Sequence, residues 1–217
     1  MPRSPYATTA VSIGVATGVY GISFGVLAVG AGLSAAQACA MSLLVFTGGS
    51  QFAAIGVLGA GGAAGTAVVN ALLLGARNAA YGLSLASLLR GPLWRRGVAA
   101  QLIIDETTAM ARAQDDKGDA RGAFWLTGVS VFVGWNAGTL AGALAGSGLG
   151  DPATYGLDAM FPAAFLALLA PQLRQAGAPA AALAGALIAV VLLPLTPAGI
   201  PVIAASLGVL VGLRVKA

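Results

Sequence analysis

Residues 43–58 read LLVFTGGSQFAAIGVL, a run that is apolar at both ends and polar at residues 47–51 in its middle. In hydrocarbon an unpaired polar group is costly, so irregular backbone is tolerated only where protein or a water-filled cavity surrounds it. Two interpretations remain open at this point. The helix is interrupted at 47–51 and faces a cavity, or it is intact and its polar side chains bond to neighbouring helices.

The composition of the whole chain indicates a membrane protein. Of its 217 residues, 58% are hydrophobic and 8% are charged, whereas a soluble domain is about 25% charged. Roughly 20 consecutive apolar residues are enough to cross a bilayer. We therefore predict an all-α, polytopic integral membrane protein with about seven transmembrane helices, some of them interrupted. The apolar stretches are 9–31, 35–60, 63–89, 122–148, 155–171, 177–193 and 197–213.

The residues that are missing limit the chemistry. The chain contains no histidine and a single cysteine, Cys39, which excludes histidine-based catalysis, metal–histidine sites and internal disulfides. It also lacks a Walker-type phosphate-binding loop. We therefore expect no enzyme activity, no cofactor and no metal. The net charge of +4 is expected to orient the chain in the membrane and not to bind nucleic acid.

Loop charges predict that orientation. The central polar region, residues 90–121, contains Arg90, Arg95, Arg96, Arg112, Lys117 and Arg121. Because cytoplasmic loops carry an excess of Lys and Arg, this region is predicted to be cytoplasmic, with an external N-terminus and an internal C-terminus. The segment 97–111 is too short for an ordinary span. A half-helix, a re-entrant element, an interfacial helix or a crossing in a flipped topology is left open for it.

A single transmembrane transporter domain is predicted over residues 1–217. A faint similarity between residues 45–61 and 131–147 raises an inverted repeat with halves at about 9–89 and 122–193. Such repeats are a common transporter plan, with the substrate site where their interrupted helices meet. Chance agreement is the alternative in a chain so rich in Gly, Ala and Leu.

Glycines recur at every fourth position in two of the apolar stretches. The pairs and series are Gly14 and Gly18, Gly21 and Gly25, and Gly134, Gly138, Gly142, Gly146 and Gly150. Small residues at this spacing let helix backbones approach closely in lipid. The pattern predicts close helix packing, with a glycine-lined translocation path as the alternative.

Polar side chains inside the apolar stretches are the candidate substrate-binding residues. They are Thr47, Gly48, Gly49, Ser50, Gln51, Asn70, Arg77, Asn78, Tyr81, Trp135 and Asn136. An unwound helix would offer amides suited to a carboxylate, as helix N-termini do. Asn70 and Arg77 are seven residues apart and so lie on roughly one helix face, and an ionisable residue inside a span suggests a functional site. The alternative for Arg77 is that its side chain extends to the membrane interface.

Three acidic residues are candidates for energy coupling: Asp105, Glu106 and Asp158. Carboxylates in membranes often relay protons. Each of the three is equally suited to serve as a salt-bridge partner.

Five motifs run in order along almost the whole chain. They are FTGGSQFAA (46–54), an N-x6-R-x3-YG-x-SL pattern (70–85), the acidic pair at 105–106, W-x2-GT-x2-G (135–142) and GLDAMFPAAFLALL (156–169). Together they resemble the AzlC-like family, the large subunits of branched-chain amino acid exporters. The chain departs from the usual family pattern at Ile104, where Thr is common, and at Asn78, where His is frequent.

The resemblance implies export of small apolar amino acids from the bacterial cytoplasm across the inner membrane, with a small membrane-protein subunit of the AzlD type as partner. We expect a secondary-transporter subunit that depends on the proton-motive force. The alternative is a passive channel or a non-transporting membrane assembly subunit. Whether the chain forms an oligomer, and which amino acid and ion it moves, is left open.

Overall fold

The computed structural model of the protein describes residues 6–148, 163, 166, 169–170 and 172–216. Within these residues the regular elements are all helical, which confirms the all-α class for this part of the chain. The helices are α1 (Ala7–Gly30), α2 (Ala35–Leu44), α3 (Gly49–Gly59), α4 (Ala64–Leu85), α5 (Leu93–Gln101), α6 (Asp105–Arg112), α7 (Lys117–Gly148), α8 (Ala178–Leu192), α9 (Ile200–Ala205), a 3₁₀ turn (Ser206–Gly208) and α10 (Val209–Lys216).

Two of the described helices, α1 and α7, are each long and apolar enough to cross a bilayer. Helix α4 has 22 residues, but polar residues such as Asn70 and Arg77 reduce its hydropathy. The stretch predicted at 155–171 lies largely outside the described residues. The number of seven spans therefore stays a prediction.

The helices group into two compact units. Unit 1 comprises Met1–Gln51 and Gly75–Gly150, and unit 2 comprises Phe52–Leu74 and Asp151–Ala217. The chain passes between the units inside α3 and again inside α4. The units therefore do not follow the order of the sequence, and the predicted repeat halves stay a prediction.

Unit 1 is built on the packing of α1 along α7. The glycines of α1 meet those of α7 so closely that a Cβ on Gly21 would lie 2.6 Å from the Trp135 carbonyl oxygen, and one on Gly14 would lie 2.7 Å from the Ser130 carbonyl. In lipid such backbone contact is what holds two helices together. These glycines are therefore occupied by helix packing, which removes the alternative of a translocation path along them.

In unit 2, helix α8 packs against α9, the 3₁₀ turn and α10. Glycines again lie at the contact, since a Cβ on Gly185 of α8 would lie 2.9 Å from the Ala205 carbonyl oxygen at the end of α9. Both units therefore use the same device, a close approach of backbones at small residues.

The second apolar stretch is interrupted in the structure. Helix α2 ends at Leu44 and α3 begins at Gly49. Between them Gly48 has a φ of +56°, a left-handed conformation that glycine adopts without steric penalty. The break occupies residues 45–48, slightly before the predicted position of 47–51, so Ser50 and Gln51 lie in the first turn of α3.

Side-chain amides bond to three of the backbone groups at this break. The Gly48 N–H donates to Gln51 Oε1 (3.1 Å), and Gln51 Nε2 donates to the Met41 carbonyl (3.2 Å). Gln101 Nε2 donates to the Leu43 carbonyl (2.8 Å) at the same end of α2. Because helix ends lack intrahelical partners, these bonds make the break compatible with a buried position.

The segment 97–111 forms parts of two helices joined by a turn. The Thr107 hydroxyl accepts a hydrogen bond from the Ile104 N–H (3.0 Å) and donates one to the Leu102 carbonyl (2.8 Å), which fixes the turn. With nine residues in α5 and eight in α6, neither helix is long enough to span a bilayer. The alternative in which 97–111 crosses the membrane as one helix is wrong.

Helix α7 runs without a break from Lys117 to Gly148. Asp116 lies just before the helix, and its Oδ1 accepts a hydrogen bond from the Gly118 N–H (2.6 Å), as an N-cap side chain does. The similarity between residues 45–61 and 131–147 therefore does not extend to the backbone, because the first member is interrupted and the second is helical throughout.

The α1–α7 contact predicts the effect of adding one methyl group. In Gly138→Ala the new Cβ would collide with the Gly18 carbonyl oxygen, so we expect the free energy of unfolding to fall by about 1–3 kcal/mol. Gly148→Ala on the same helix is the matched control, because nothing lies within 4 Å of its Cβ position. Thermal unfolding in detergent, followed by circular dichroism, measures both. Equal stability of the two variants would contradict the packing.

The bonds across the helix break predict a contrast between two neighbouring buried residues. Gln51→Ala leaves the half-buried Gly48 N–H unpaired and removes one of the two hydrogen bonds that the Met41 carbonyl accepts, and it is expected to destabilise the protein by about 1–3 kcal/mol. Ser50→Ala removes a buried hydroxyl that has no hydrogen-bond partner. The free energy of unfolding of this variant should therefore equal that of the wild type or be slightly higher. The same unfolding assay compares them. A Ser50→Ala loss as large as that of Gln51→Ala would assign Ser50 a structural role.

Candidate functional site

An ion pair joins α4 to α6 within unit 1. Arg77 Nη1 lies 3.0 Å from Asp105 Oδ2. Asp105 is the first residue of α6, where the positive end of the helix dipole favours a carboxylate. The pair connects a residue predicted to bind substrate with one predicted to couple energy.

Both partners of this pair retain a buried polar atom without a hydrogen-bond partner. These atoms are Arg77 Nε and Asp105 Oδ1. Arginine and carboxylate often form two parallel bonds, and more than about 90% of buried backbone polar groups, and most buried side-chain ones, are satisfied in native proteins. The side chains are 35% and 40% exposed. The pair therefore offers one unused donor and one unused acceptor side by side.

Two further titratable groups surround the pair. Tyr81 follows Arg77 by one helical turn on α4, and its hydroxyl interacts with the Asp105 carboxylate. Glu106 lies beside Asp105 in α6, outside the seven predicted transmembrane stretches. Burial raises the pKa of Glu106 above its usual value, and the charge of Asp105 raises it further, while Arg77 lowers it. Glu106 therefore holds a proton to a higher pH than an exposed glutamate does.

The broken helix brings a second set of polar groups together. Thr47 Oγ1 and Ser50 Oγ are buried without a hydrogen-bond partner, and the first-turn amides of α3 have no partner within the helix. Ser50 Oγ lies against α4, 3.2 Å from the position of a Cβ on Gly75. A Cβ on Gly48 would lie 3.9 Å from Trp135 Cη2 of α7. Both α4 and α7 thus approach the residues at the break.

Aromatic rings and one amide of α7 complete this region. Phe46, in the break, contacts Phe132 edge to face with ring centroids 5.0 Å apart, and Trp135 stacks with Phe24 at 5.8 Å. Asn136 Nδ2 donates to the Phe132 carbonyl (2.7 Å), whereas its Oδ1 is buried without a partner. The surface beside the break is therefore mainly apolar.

The two sets of polar groups lie at nearby levels of α4 but on different faces of it. Gly75, which lies beside Ser50, precedes Arg77 by two residues, and residues at this spacing point to nearly opposite sides of a helix. Thr47, Gly48, Ser50, Arg77 and Tyr81 are thus collected by one unit of the protein.

Other predicted residues have different positions. Both polar ends of the Gln51 amide bond to backbone, so this side chain holds the broken helix together. Asn70 belongs to unit 2, where its Nδ2 donates to the carbonyls of Thr66 (2.9 Å) and Gly199 (3.2 Å). Asn78 is half-buried on α4. Asp158 lies outside the described residues.

Thr127 on α7 is not among the residues predicted from the sequence. It is fully buried, and its Oγ1 has no hydrogen-bond partner. A signal was present, because Thr127 begins a four-residue series with Val131, Trp135 and Thr139, all of them buried on one face of α7. In the sequence, Thr127 is a single polar residue among apolar neighbours and was therefore not singled out.

The chain is similar to several membrane proteins. It matches the profile of a family described as AzlC protein over residues 12–149. It is 31% identical to an uncharacterized membrane protein of Helicobacter pylori strain 26695 over 81% of this chain and 77% of the relative. It is 32% identical to the inner membrane protein YgaZ of Escherichia coli K12 over 78% of this chain and 74% of the relative. No solved structure matches it.

These similarities agree on the class of protein. The relatives carry names of membrane proteins, and the family match points to a role related to membrane transport and not to an enzyme reaction. The matched region contains the broken helix, Arg77, Asp105 and α7, which are the elements of the candidate site. Because the match covers more than half of its length, the chain belongs to the AzlC family.

Proposed function

We propose that this chain is a secondary-transporter subunit that exports branched-chain or similar small apolar amino acids from the bacterial cytoplasm across the inner membrane. The observation that supports this best is the Arg77–Asp105 pair with its unused Nε and Oδ1. Membership of the AzlC family supports a role in transport, and the resemblance of the motifs supplies the class of substrate.

An amino acid carries the same two charges as this ion pair. Its carboxylate matches the planar, two-pronged guanidinium of Arg77, which binds carboxylates through two parallel hydrogen bonds. Its ammonium group donates hydrogen bonds only and matches the Asp105 carboxylate, whose Oδ1 accepts none in the empty site. A zwitterion therefore replaces each charge of the pair with one of the same sign.

The break between α2 and α3 is proposed to contribute polar and apolar contacts. The hydroxyls of Thr47 and Ser50 and the first-turn amides of α3 are available to a carboxylate. The rings of Phe46 and Trp135 offer apolar surface to a short aliphatic side chain. This combination favours a small apolar amino acid over a charged one.

Proton coupling is proposed to use a carboxylate near the site, with Asp105, Glu106 and Asp158 as candidates. Glu106 fits best among the two that the structure describes, because burial already raises its pKa while Asp105 is paired with Arg77. An AzlD-type small membrane subunit is proposed as the partner, on the basis of the family resemblance.

The proposed function is tested by transport with the chain and its partner subunit expressed together. Cells loaded with labelled valine should export it faster with the pair than without it, and proteoliposomes should show counterflow. Trans-stimulated exchange requires alternating access, so its absence alongside rapid flux would indicate a passive channel instead. No flux in either assay would favour a non-transporting assembly subunit.

Arg77→Lys is expected to lose most of the transport, because a point charge cannot replace a two-pronged contact. A lost hydrogen bond to a charged group is worth about 1.5–3 kcal/mol, which corresponds to a roughly tenfold to hundredfold rise in KM. Counterflow by the reconstituted variant measures this.

Arg112→Lys is the matched control, since Arg112 is exposed at the end of α6. A further variant exchanges the charges, with Arg77→Asp and Asp105→Arg together. It keeps an ion pair but reverses the positions offered to the substrate. Normal transport by the exchanged variant would limit the pair to a structural role.

Glu106 predicts a pH dependence of stability. Because the folded state raises its pKa above the usual 4.5, the folded protein binds more protons than the unfolded chain between these two pKa values. The contribution of Glu106 to the free energy of unfolding is therefore fully present below pH 4.5. It is lost as the pH rises through the folded-state pKa of Glu106. Glu106→Gln should remove this loss, measured as the thermal midpoint between about pH 5 and pH 8.

Asp119→Asn, at an exposed position, is the control for the change in charge. If Glu106 also carries the coupling proton, Glu106→Gln should keep exchange and abolish uphill efflux. Concentrative export by this variant would assign coupling to another group.

A further inference from the structure

A cavity lies in unit 1, at the C-terminal end of α4. It has a volume of about 460 Å³ and is bounded by the end of α4, the α4–α5 connection and α5. Its lining includes Leu89, Arg90, Arg96, Ala99, Ala100 and Ile103. None of these residues belongs to the polar groups described above.

Two guanidinium groups give this cavity its charge. Arg90 and Arg96 line it, and among the residues that the structure describes, neither has a carboxylate within 4 Å, since the ion pair found there is that of Arg77 and Asp105. Neighbouring arginines are engaged elsewhere: Arg95 lies over the Trp125 ring at 5.6 Å, and Arg121 Nε donates to the Leu88 carbonyl (3.1 Å). The cavity is therefore a site for an anion.

The other walls of the cavity are apolar. Leu89, Ala99, Ala100 and Ile103 carry no polar side-chain atom. A hydrated inorganic ion has no apolar surface to bury against these walls. A ligand that joins an anionic group to a hydrocarbon chain does, and burial of the chain is favourable. The combination of two cations and an apolar wall thus selects an amphiphilic anion.

The helix beside the cavity has the character of a membrane-interface helix. On α5, Leu93 and Trp94 are 81% and 71% exposed, and Arg95 and Arg96 follow directly. Tryptophan is enriched at membrane–water interfaces, and basic amphipathic helices lie in that plane on anionic lipid. The loop charges predict the cytoplasmic side for this region, where basic pockets between helices bind anionic head groups.

We propose that this cavity binds the head group of an anionic phospholipid. Arg90 and Arg96 hold the phosphate, and the start of an acyl chain lies against Leu89 and Ile103. The shared chemistry is a phosphate group, and the apolar wall and the exposed Leu93 and Trp94 favour lipid over free phosphate. The site requires only the membrane location of the chain and does not depend on which substrate it transports.

The test uses the purified full chain, stripped of lipid in mild detergent. Micelles containing phosphatidylglycerol are compared with micelles containing phosphatidylcholine of the same acyl chains and with inorganic phosphate alone. Phosphatidylglycerol should raise the thermal midpoint of the wild-type protein, whereas the other two additions should leave it unchanged. Titration of this effect gives an apparent affinity for the lipid.

Two kinds of variant examine the cavity. Arg90→Gln with Arg96→Gln should weaken the affinity for phosphatidylglycerol by roughly 30-fold, the effect of two arginines at an anionic surface. Ala100→Trp keeps the charge but fills the cavity, and it should also reduce the affinity. The matched control, Arg112→Gln with Arg174→Gln, loses the same charge at exposed positions that do not line the cavity and should bind like the wild type.

Three results would overturn the proposal. Equal stabilisation of the cavity variants and the wild type would show that lipid acts elsewhere. An equal loss in the control variant would reduce the effect to overall charge. Stabilisation by inorganic phosphate alone, lost in the double arginine variant, would identify a free-phosphate site in place of a lipid site.

Discussion

The close approach of α1 and α7 is the contact on which unit 1 depends. Backbone touches backbone along the glycine stripes of both helices, and in lipid this kind of packing replaces the hydrophobic force that holds soluble proteins together. Other parts of unit 1 also contact α7. Ser42 of α2 bonds to Thr139 (3.1 Å), Phe46 of the break meets Phe132, and a Cβ on Gly128 would touch Leu102 between α5 and α6. A shift of α7 would therefore move α2, the helix break and the turn that precedes α6.

The buried polar groups of the unit fall into two classes with different consequences. Ser42 and Gln51 are buried, and their bonds to α7 or to the backbone stabilise the fold. Ser50 and Asp105 keep a buried polar atom unpaired, and such atoms reduce stability unless a ligand or water bonds to them. Both classes look alike in a sequence, as polar letters in an apolar run. The hydrogen-bond partners separate those that hold the helix break from those that remain available to a substrate.

Much of the helical framework could be predicted from the sequence, because it depends on local patterns. The apolar stretches 9–31, 63–89 and 122–148 mark α1, α4 and α7 to within a few residues, and paired glycines between polar residues locate the break near residues 45–48. The Arg77–Asp105 pair was not predictable in the same way, since its partners are far apart in the chain and meet only through the packing of α6. The sequence also could not separate Gln51, which bonds to the backbone, from Ser50, which does not. The turn at 102–104, which divides one apolar segment into α5 and α6, depends on hydrogen bonds of Thr107 that have no simple sequence signal.

Charge neutrality of the Arg77–Asp105 pair bears directly on how transport would be driven. A single uncompensated charge within a membrane is expensive, and the empty pair carries none because its partners neutralise each other. A bound zwitterion adds one charge of each sign, so the loaded site is neutral as well. In the proposed transporter, the site with and without substrate would therefore meet a similar electrostatic barrier when it changes its exposure, and this would favour exchange in either direction. Uphill export would need a third charged group, whose protonation differs between the step that carries substrate outward and the step that returns the site inward. The substrate itself must not neutralise this group. Among the acids that the structure describes near the site, Glu106 meets this condition: it is adjacent to the pair, burial raises its pKa, and the pair leaves it without an opposite charge of its own.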